Sequence, residues 1–237
     1  MSSGGAQRGS VSKRSDGPGL VLSTNVGRAR RNSAKSTPTG IHKKPVAEIR
    51  VRAPGPKHGG LGSGVIGDFI GDRRHHGGDD QAVYAVAREQ LDWWGDCLGR
   101  DLENGMFGEN LTTTGIDVDN AVIGTRWTVG AAVLEVTGPR IPCGTFRMHM
   151  AERGWLKKYV AHGLSGAYLR VVTPGVIQPG DAVQVGDAPA HGVTVPTAFR
   201  AFYDDVPAMR TVVDAGVLNP AEHEEMVVRL HKAITVS

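Results

Sequence analysis

The stretch AVIGTRWTVGAAVLEVTG, which spans residues 121–138, contains three short apolar runs, each followed closely by a glycine. The runs lie at residues 121–123, 127–129 and 131–136. Short apolar runs with turn residues between them are typical of β-strands that return on one another. The regular spacing of these strands and turns predicts a barrel or a closed sandwich.

Four more segments on either side of this stretch have strand-like sequences. Residues 20–26 are predicted as a first strand, and residues 46–51 alternate apolar and polar side chains, as a half-buried strand does. Residues 168–172 and 182–185 follow, and Pro-Gly pairs between them mark turns. The sequence therefore predicts a mainly β fold.

Helices are predicted outside these strands. A mostly apolar stripe at helical spacing indicates one helix at residues 79–98. Asp79 or Asp80 is placed to cap its start, and Gly99 can adopt the left-handed conformation that ends a helix. Three further helices are predicted near the end of the chain, at residues 196–203, 206–215 and 220–234.

These patterns divide the 237 residues into three parts. Residues 1–19 are predicted to be a disordered basic tail, because they contain almost no large apolar groups. Residues 20–190 are predicted to be the β domain with peripheral helices, and residues 191–237 a small C-terminal helical appendage. A hydrophobic fraction of 40% and a charged fraction of 22% are ordinary for a globular protein.

The composition also bears on the cellular compartment. A signal peptide needs an apolar stretch of about 7–15 residues near the start, and residues 20–22 fall short of it. No stretch approaches the roughly 18 apolar residues of a membrane helix. We therefore expect a cytoplasmic protein that does not enter a membrane. In that compartment Cys97 and Cys143 stay reduced, so either thiol is available as a ligand or nucleophile.

The charge is unevenly distributed along the chain. Residues 1–44 contain nine Lys or Arg and a single Asp, which gives +8, so the remainder carries 3 − 8 = −5. A basic arm on an acidic body can bind nucleic acid, or it can serve as a solubilising tail. Nucleic acid is disfavoured as a partner, because no aromatic stacking platform accompanies the basic residues.

Cys143 lies in the motif PRIPCG, directly after the strand-like residues 131–136. The two prolines fix the backbone around it, and Gly144 permits the close approach of another group. Arg140 is near enough in sequence to stabilise a thiolate, the form of cysteine that binds metals. The alternative is that Cys143 is a small hydrophobic residue of the core. Cys97 lies in the last turn of the predicted helix, where packing is the better interpretation.

The segment DRRHHGGD, residues 72–79, precedes the predicted helix. A glycine pair that opens a helix offers free backbone N–H groups to an anion. Arginines add positive charge, and an imidazole can move a proton. A solvated loop with ordinary helix capping is the alternative.

The segment GMFGENLTT, residues 105–113, combines flanking glycines with a carboxylate and an amide. Such a loop can present backbone amides and the Asn110 side chain to the edge of a heterocycle. Alternatively, Glu109 and Asn110 satisfy backbone groups of a turn. The chain contains no Walker loop, no dinucleotide-binding glycine motif after a strand and no His-Glu-x-x-His motif.

Taken together, these segments resemble the MOSC domain family, named for the C-terminal domain of molybdenum cofactor sulfurases, and specifically its YiiM-like bacterial branch. The resemblance covers about residues 20–190. Phe-Gly-Glu-Asn-Leu followed by Pro-Arg-x-Pro-Cys is its most specific part. The matching pieces, in the family's order, lie at residues 43–46, 72–78, 82–84, 107–113, 123–124, 139–143, 166–171 and 180–181.

The resemblance implies a MOSC-type β-barrel with peripheral helices that binds a molybdenum–pterin cofactor (Moco). It implies reduction of N-hydroxylated compounds, such as hydroxylamine-type base analogues, with Cys143 as metal ligand. We further expect His76 or an adjacent group to supply protons. The implied cofactor-binding residues are Lys44, Arg73, Arg74, His75, Gly77, Gly78, Gly108, Glu109, Asn110, Leu111 and Arg140.

One position departs from part of the family. Some members have Lys two residues after the cysteine, where this chain has Thr145, so charge compensation would fall to Arg140, Arg147 or Lys44. The sequence contains no flavin, haem or iron–sulfur motif, which implies a separate electron-donor protein. A homodimer is left open. The rival functions are a carrier of the cofactor or of sulfur without reductase activity, and a structural or nucleic-acid-associated protein that uses the basic arm.

Overall fold

The structure is a computed structural model, and it describes residues 19–235. The predicted disordered tail at residues 1–19 therefore lies outside the described residues, apart from Gly19, which begins the first strand.

Ten strands and six helices make up the described part of the chain. The strands are β1 (Gly19–Gly27), β2 (Lys43–Val46), β3 (Ile49–Val51), β4 (Val83–Ala87), β5 (Leu111–Thr114), β6 (Arg126–Val129), β7 (Ala132–Pro139), β8 (Ala167–Thr173), β9 (Gly175–Ile177) and β10 (Ala182–Val185). The helices are α1 (Arg88–Leu98), α2 (Gly144–Met150), α3 (Trp155–His162), α4 (Val195–Ala201), α5 (Val206–Ala215) and α6 (Pro220–Thr235).

Seven of the strands close into a barrel, in the order β10-β6-β7-β8-β4-β5-β1. Pairing of β1 with β10, with Leu20 opposite Ala182, completes the circle and removes the open sheet edges. Within the ring all neighbours are antiparallel except β4 and β5, which α1 connects. β2 extends the sheet beside β1, and β3 pairs with β9 in a separate ribbon. The predicted β-barrel is thus confirmed.

The prediction of a single helix at residues 79–98 is wrong. A 3-10 turn at Asp79–Gln81 leads into strand β4, and the helix begins only at Arg88. Alternate residues of β4 belong to two different cores: Val83 and Ala85 belong to the barrel core, and Tyr84 to an aromatic cluster outside it. A strand buried on both faces is apolar throughout, and its residues therefore also match a helical stripe.

The predicted end of this helix is confirmed, but its predicted caps are wrong. Gly99 ends α1 with φ 64°. Asp79 instead accepts a hydrogen bond from the Gly55 N–H, and Asp80 pairs with Arg170.

Other element boundaries also differ from the sequence prediction. The strand predicted at residues 46–51 is divided at residues 47–48, and its halves join different sheets. Residues 121–123 form only an isolated bridge, between Val122 and Thr194. Four elements, β5, β9, α2 and α3, were not predicted from the sequence. Of these, α2 matters most, because it begins directly after Cys143.

Helices α1, α2 and α3 lie over an aromatic cluster outside the barrel. Its members include Trp94, Phe107, Phe146, Trp155 and Tyr159, and all of them are buried. The rings meet mainly edge to face, for example Phe107 and Phe146 at a centroid distance of 5.3 Å. Edge-to-face pairs of buried rings are favourable, so this cluster fixes α2 against the barrel.

The three predicted C-terminal helices are confirmed as α4, α5 and α6. Asp205 caps the start of α5, and Asn219 accepts a hydrogen bond from the Glu222 N–H at the start of α6. Met209 of α5 and Met226 of α6 belong to the same apolar core as the barrel residues. The helical appendage is therefore packed against the barrel.

No helix among residues 19–235 combines the length and apolar character needed to cross a bilayer.

Candidate functional site

Two clefts meet at Cys143. The first, here called the narrow cleft, encloses about 740 Å³, part of it open to solvent. Among its walls are Lys43, Ser63, Asp68, Gly77, Asn110 and Arg140. The second, the wide cleft, encloses about 1610 Å³ on the same measure. Among its walls are Asp80, Pro139, Arg170, Phe202, Val217 and Glu222. Four residues line both clefts: His76, Gln81, Cys143 and Tyr168.

Cys143 is the residue from which α2 begins, at the end of the short loop that follows β7. It is partly buried and packs beside the aromatic cluster. The Phe146 N–H, in the first turn of α2, donates a hydrogen bond to the sulfur. First-turn N–H groups have no partner within a helix, so they are free to stabilise an anion at this position.

The surroundings of the thiol favour the thiolate. Burial raises the pKa of Cys143, but a hydrogen bond from His76 and the positive charge of Arg140 outweigh it and bring the pKa to about 6. Because this value lies below 7, the thiolate is the main form of the sulfur at neutral pH. The alternative interpretation, an inert cysteine in the core, does not fit this environment.

A direct titration tests this environment. In a Cys97→Ser background, the rate of alkylation of Cys143 by iodoacetamide should rise with pH to half its maximum near pH 6. Replacing His76 with Ala should move that midpoint to higher pH, because the thiolate loses a hydrogen bond that stabilises it relative to the neutral thiol. A midpoint near the ordinary value of 9.0, unchanged by His76→Ala, would contradict the proposed environment.

Arg140 is a buried cation beside this sulfur, with a relative exposure of 6%. Its guanidinium lies over the Phe146 ring, 3.8 Å from the centroid, and Tyr168 forms a hydrogen bond with it. Within residues 19–235, no group accepts a hydrogen bond from its Nη1 atom. Arginine stays protonated, and a buried guanidinium nitrogen without an acceptor is unfavourable. This nitrogen is therefore available to an anionic ligand.

The Asp68 carboxylate connects four segments around the narrow cleft. It accepts hydrogen bonds from the Gly27 N–H at 2.7 Å, from Ser63 Oγ at 3.0 Å and from Asn110 Nδ2 at 3.1 Å. It also pairs with Lys43 Nζ at 2.5 Å, and both side chains are almost fully buried. Asp68 thereby positions Lys43, Ser63 and Asn110 in the cleft wall.

The Glu109 side chain stabilises the turn in which it lies. Its buried carboxylate accepts hydrogen bonds from the N–H groups of Gly105 and Phe107 and from Thr112 Oγ1. Gly108 has φ 79°, a left-handed conformation, and a Cβ there would lie 3.0 Å from Ile41. The turn thus presents Gly108 and Asn110 to the narrow cleft and keeps Glu109 out of it.

The segment 72–78 is held by Asp72. Its carboxylate pairs with Lys35 at 2.5 Å and contacts His75 at 3.2 Å, and these interactions lower the pKa of Asp72 to about 2. Gly77 has φ 90°, and a Cβ there would lie 2.7 Å from the Gly62 carbonyl oxygen. Only glycine fits at this point, and its presence brings His76 to Cys143.

The structure brings together seven of the thirteen site residues predicted from sequence. Those that line at least one cleft are His75, His76, Gly77, Gly108, Asn110, Arg140 and Cys143.

The other six predicted residues, of which Glu109 is one, lie outside both clefts. Lys44 is exposed and pairs with Glu103 at 2.6 Å. Arg73 and Arg74 are exposed, and Leu111 is buried in the barrel core. Gly78 donates a backbone hydrogen bond to Gly62 and packs against Lys57. None of these residues lines either cleft, and their role in cofactor binding stays a prediction.

Four residues that line the narrow cleft were not predicted from the sequence: Lys43, Asp68, Tyr84 and Tyr168. Lys43 is the buried neighbour of the exposed Lys44 in β2, since successive strand residues point in opposite directions. Tyr84 and Tyr168 lie in apolar strand sequences, where an aromatic residue gives no signal of its own. At the position where some family members have Lys, Thr145 accepts a hydrogen bond from Asn32 at 3.1 Å.

Comparison with known proteins places this geometry in a family. A family model described as the MOSC domain matches residues 72–184. YflK of Bacillus subtilis (strain 168) is 31% identical over 187 residues, covering 78% of this chain and 81% of that protein. A protein named "Reductase" from Gibberella moniliformis (strain M3125 / FGSC 7600) is 30% identical over 176 residues, which is 73% of this chain but 30% of that protein.

A solved structure agrees with these matches. The crystal structure of YiiM from Geobacillus stearothermophilus superposes with a TM-score of 0.70 at 26% identity, covering 90% of this chain and all of that one. The similarity extends through both the barrel and the C-terminal helices, because the coverage is nearly complete. The chain therefore belongs to the MOSC domain family and is similar to its YiiM members.

Proposed function

We propose that this protein holds a molybdenum–pterin cofactor in the narrow cleft, with Cys143 as the protein's metal ligand, and reduces N-hydroxylated compounds. One observation carries the proposal: a low-pKa thiol and an unsatisfied buried guanidinium nitrogen lie side by side in one cleft. A thiolate is a suitable ligand for a metal that is already bound by sulfur.

The residues of the narrow cleft fit such a cofactor. Arg140 Nη1 offers a charge-assisted hydrogen bond to an anionic group, where the protein itself supplies no acceptor. The Lys43 ammonium pairs with Asp68 and has further N–H groups, which are donors of the kind that a heterocycle's edge requires. Ser63 and Asn110 lie beside it in the cleft wall, where both donate to Asp68. Asp68 holds these three side chains in fixed positions, which reduces the entropy lost on binding.

The proposed net reaction is R–NH–OH + 2 e⁻ + 2 H⁺ → R–NH₂ + H₂O. The N–O bond breaks, and the oxygen leaves as water. The bound cofactor would supply the two-electron chemistry, and a separate reduced electron-carrier protein would replenish the electrons. His76 lines both clefts and donates to Cys143, so it is placed to deliver a proton at the N–O group. The reduced thiol suits the cytoplasm.

The test uses protein produced in cells that synthesise the cofactor. We expect one molybdenum and one pterin for each chain, measured by elemental analysis and by fluorescence of the oxidised pterin. The loaded protein should also reduce 6-hydroxylaminopurine to adenine with reduced viologen as electron donor. Molybdenum binding without reduction would instead support the carrier function, and absence of both would overturn the proposal.

A further inference from the structure

Three segments of the chain that form walls of the narrow cleft are rich in basic residues. They are residues 28–44, which follow β1, residues 69–78, which precede β4, and residues 140–150, which include α2. Together they contain ten Lys or Arg but a single carboxylate, Asp72. Positive charge is therefore concentrated around the cleft that contains Cys143.

Most of this charge lies on the protein surface. Eight of the ten cations are exposed, and they are here called the basic rim: Arg28, Arg30, Arg31, Lys35, Lys44, Arg73, Arg74 and Arg147. The two lysines of the rim pair with carboxylates, Lys35 with Asp72 and Lys44 with Glu103. Within residues 19–235, the carboxylates that pair with arginine do so elsewhere, and the six rim arginines have no such partner. Uncompensated charges of one sign around a cleft create a strong local potential.

The basic rim is fixed to the wall of the narrow cleft. Arg30 exchanges backbone hydrogen bonds with Thr39, which lines that cleft. In the same loop, Asn32 Nδ2 donates to Thr145 Oγ1 of α2 at 3.1 Å. Because α2 begins directly after Cys143, this bond connects the arginine-bearing loop to the segment that carries the thiolate. The exposed charges thus have a defined position beside the site.

A small molecule in either cleft does not account for the basic rim. The six rim arginines line neither cleft, so their charge is left for a partner on the outside. Nucleic acid is disfavoured, because among the described residues of the three segments there is no exposed Trp, Tyr or Phe on which a base could stack. A folded protein with an acidic surface is the partner that matches this charge.

We propose that the basic rim is the docking surface of an acidic electron-carrier protein, which delivers electrons to the site at Cys143. This inference rests on the proposed function, whose reaction consumes two electrons and two protons for each N–O bond that breaks. Two molecules of a reduced one-electron carrier, such as an iron–sulfur protein, would each be oxidised once per turnover. Redox complexes of this kind have small interfaces, and complementary charge guides their encounter.

Direct binding tests the docking surface without the cofactor. The probe is a plant-type ferredoxin, an acidic one-electron carrier, and isothermal titration calorimetry measures its binding to the full-length, cofactor-free protein. We expect the Kd to rise by at least about tenfold between about 0.01 M and 0.15 M salt, because screening shortens the reach of charge.

A charge-reversed double variant tests the location. Arg30→Glu/Arg31→Glu should raise the Kd for ferredoxin by about tenfold or more at low salt, since attraction becomes repulsion. The substitutions preserve the fold, because Arg30 is exposed and holds Thr39 through backbone groups alone. Arg210→Glu/Lys232→Glu makes the same change in net charge on exposed positions of α5 and α6, and it should leave the Kd within about twofold of the wild-type value.

The choice of electron donor provides a second measurement, on protein that holds the cofactor. Arg30→Glu/Arg31→Glu should raise the KM for reduced ferredoxin by about tenfold. It should not lower the rate with reduced viologen, because a small cation gains nothing from a basic surface. The KM for 6-hydroxylaminopurine, which is neutral, should also stay the same.

The outcomes separate the inference from the function on which it rests. Equal ferredoxin Kd and KM values in the wild type and in Arg30→Glu/Arg31→Glu would overturn the docking surface and leave the reductase standing. Turnover with viologen but none with ferredoxin would do the same. Tighter binding of single-stranded DNA than of ferredoxin, lost in the same variant, would assign the basic rim to nucleic acid. Ferredoxin binding through the rim without any viologen-driven reduction would instead overturn the proposed function.

Discussion

Replacing Cys143 with alanine is expected to abolish molybdenum retention and N-hydroxy reduction while the protein stays folded. The side chain is partly exposed at the start of α2, and the Phe146 N–H of that helix donates to its sulfur. Losing one such bond at the start of a helix costs about 1 kcal/mol, which leaves the protein folded. Removing even an outer partner of a metal ligand weakens binding by about 10–100-fold. Removal of the ligand itself should exceed that range.

Elemental analysis and the viologen-coupled assay measure this prediction, and circular dichroism reports the fold. Cys143→Ser should fail as well, because a neutral hydroxyl is a poor substitute for a soft thiolate. Cys97→Ser is the control, since Cys97 is exposed on α1 and lines neither cleft. Wild-type reduction rates in folded Cys143→Ala would remove the thiolate from the mechanism.

Arg140→Met is expected to impair cofactor binding and yet leave the cofactor-free protein as stable as before, or more stable. The guanidinium is buried against Phe146 with its Nη1 unsatisfied, which costs free energy in the absence of an anion. A buried polar group without a hydrogen-bond partner costs about 1–3 kcal/mol, and a Met of similar size removes that cost while it keeps apolar contact with the Phe146 ring. Each kcal/mol gained would raise the Tm by about 2–4 °C for a chain of this size.

The same substitution should raise the pKa of the Cys143 thiol above 6, because a stabilising positive charge is lost. Differential scanning calorimetry, molybdenum analysis and the alkylation titration measure the three effects. Arg147→Met on the exposed face of α2 is the matched control. A cofactor-free Arg140→Met protein that is clearly less stable than wild type, with normal molybdenum content, would assign Arg140 a purely structural role.

Local sequence signals predicted the barrel and the C-terminal helices well. Gly99 and Asn219 mark helix boundaries through their own conformational and hydrogen-bonding preferences. The error at β4 has a different origin, because the burial of Tyr84 and Val86 depends on an aromatic cluster assembled from distant parts of the chain. Periodicity cannot show that a strand has a second buried face.

Some residues of the candidate site could likewise be predicted from local sequence, whereas others could not. Arg140 and Cys143 are three residues apart, so their proximity is visible in the sequence. Lys43 and Asp68 are 25 residues apart and belong to the cleft only through the folded barrel. Glu109 is the opposite case. Its carboxylate was predicted as a ligand group from the sequence, but in the structure it accepts hydrogen bonds from backbone N–H groups of its own turn.

The position of Asp68 also has a consequence for maturation. Its carboxylate joins residues that lie up to 42 positions away, at Gly27, Lys43 and Asn110. Contacts between distant positions form late, because a long loop must close before any of them gains energy. We therefore expect newly synthesised chains to complete their folding first, and the folded, cofactor-free protein to receive the cofactor afterwards.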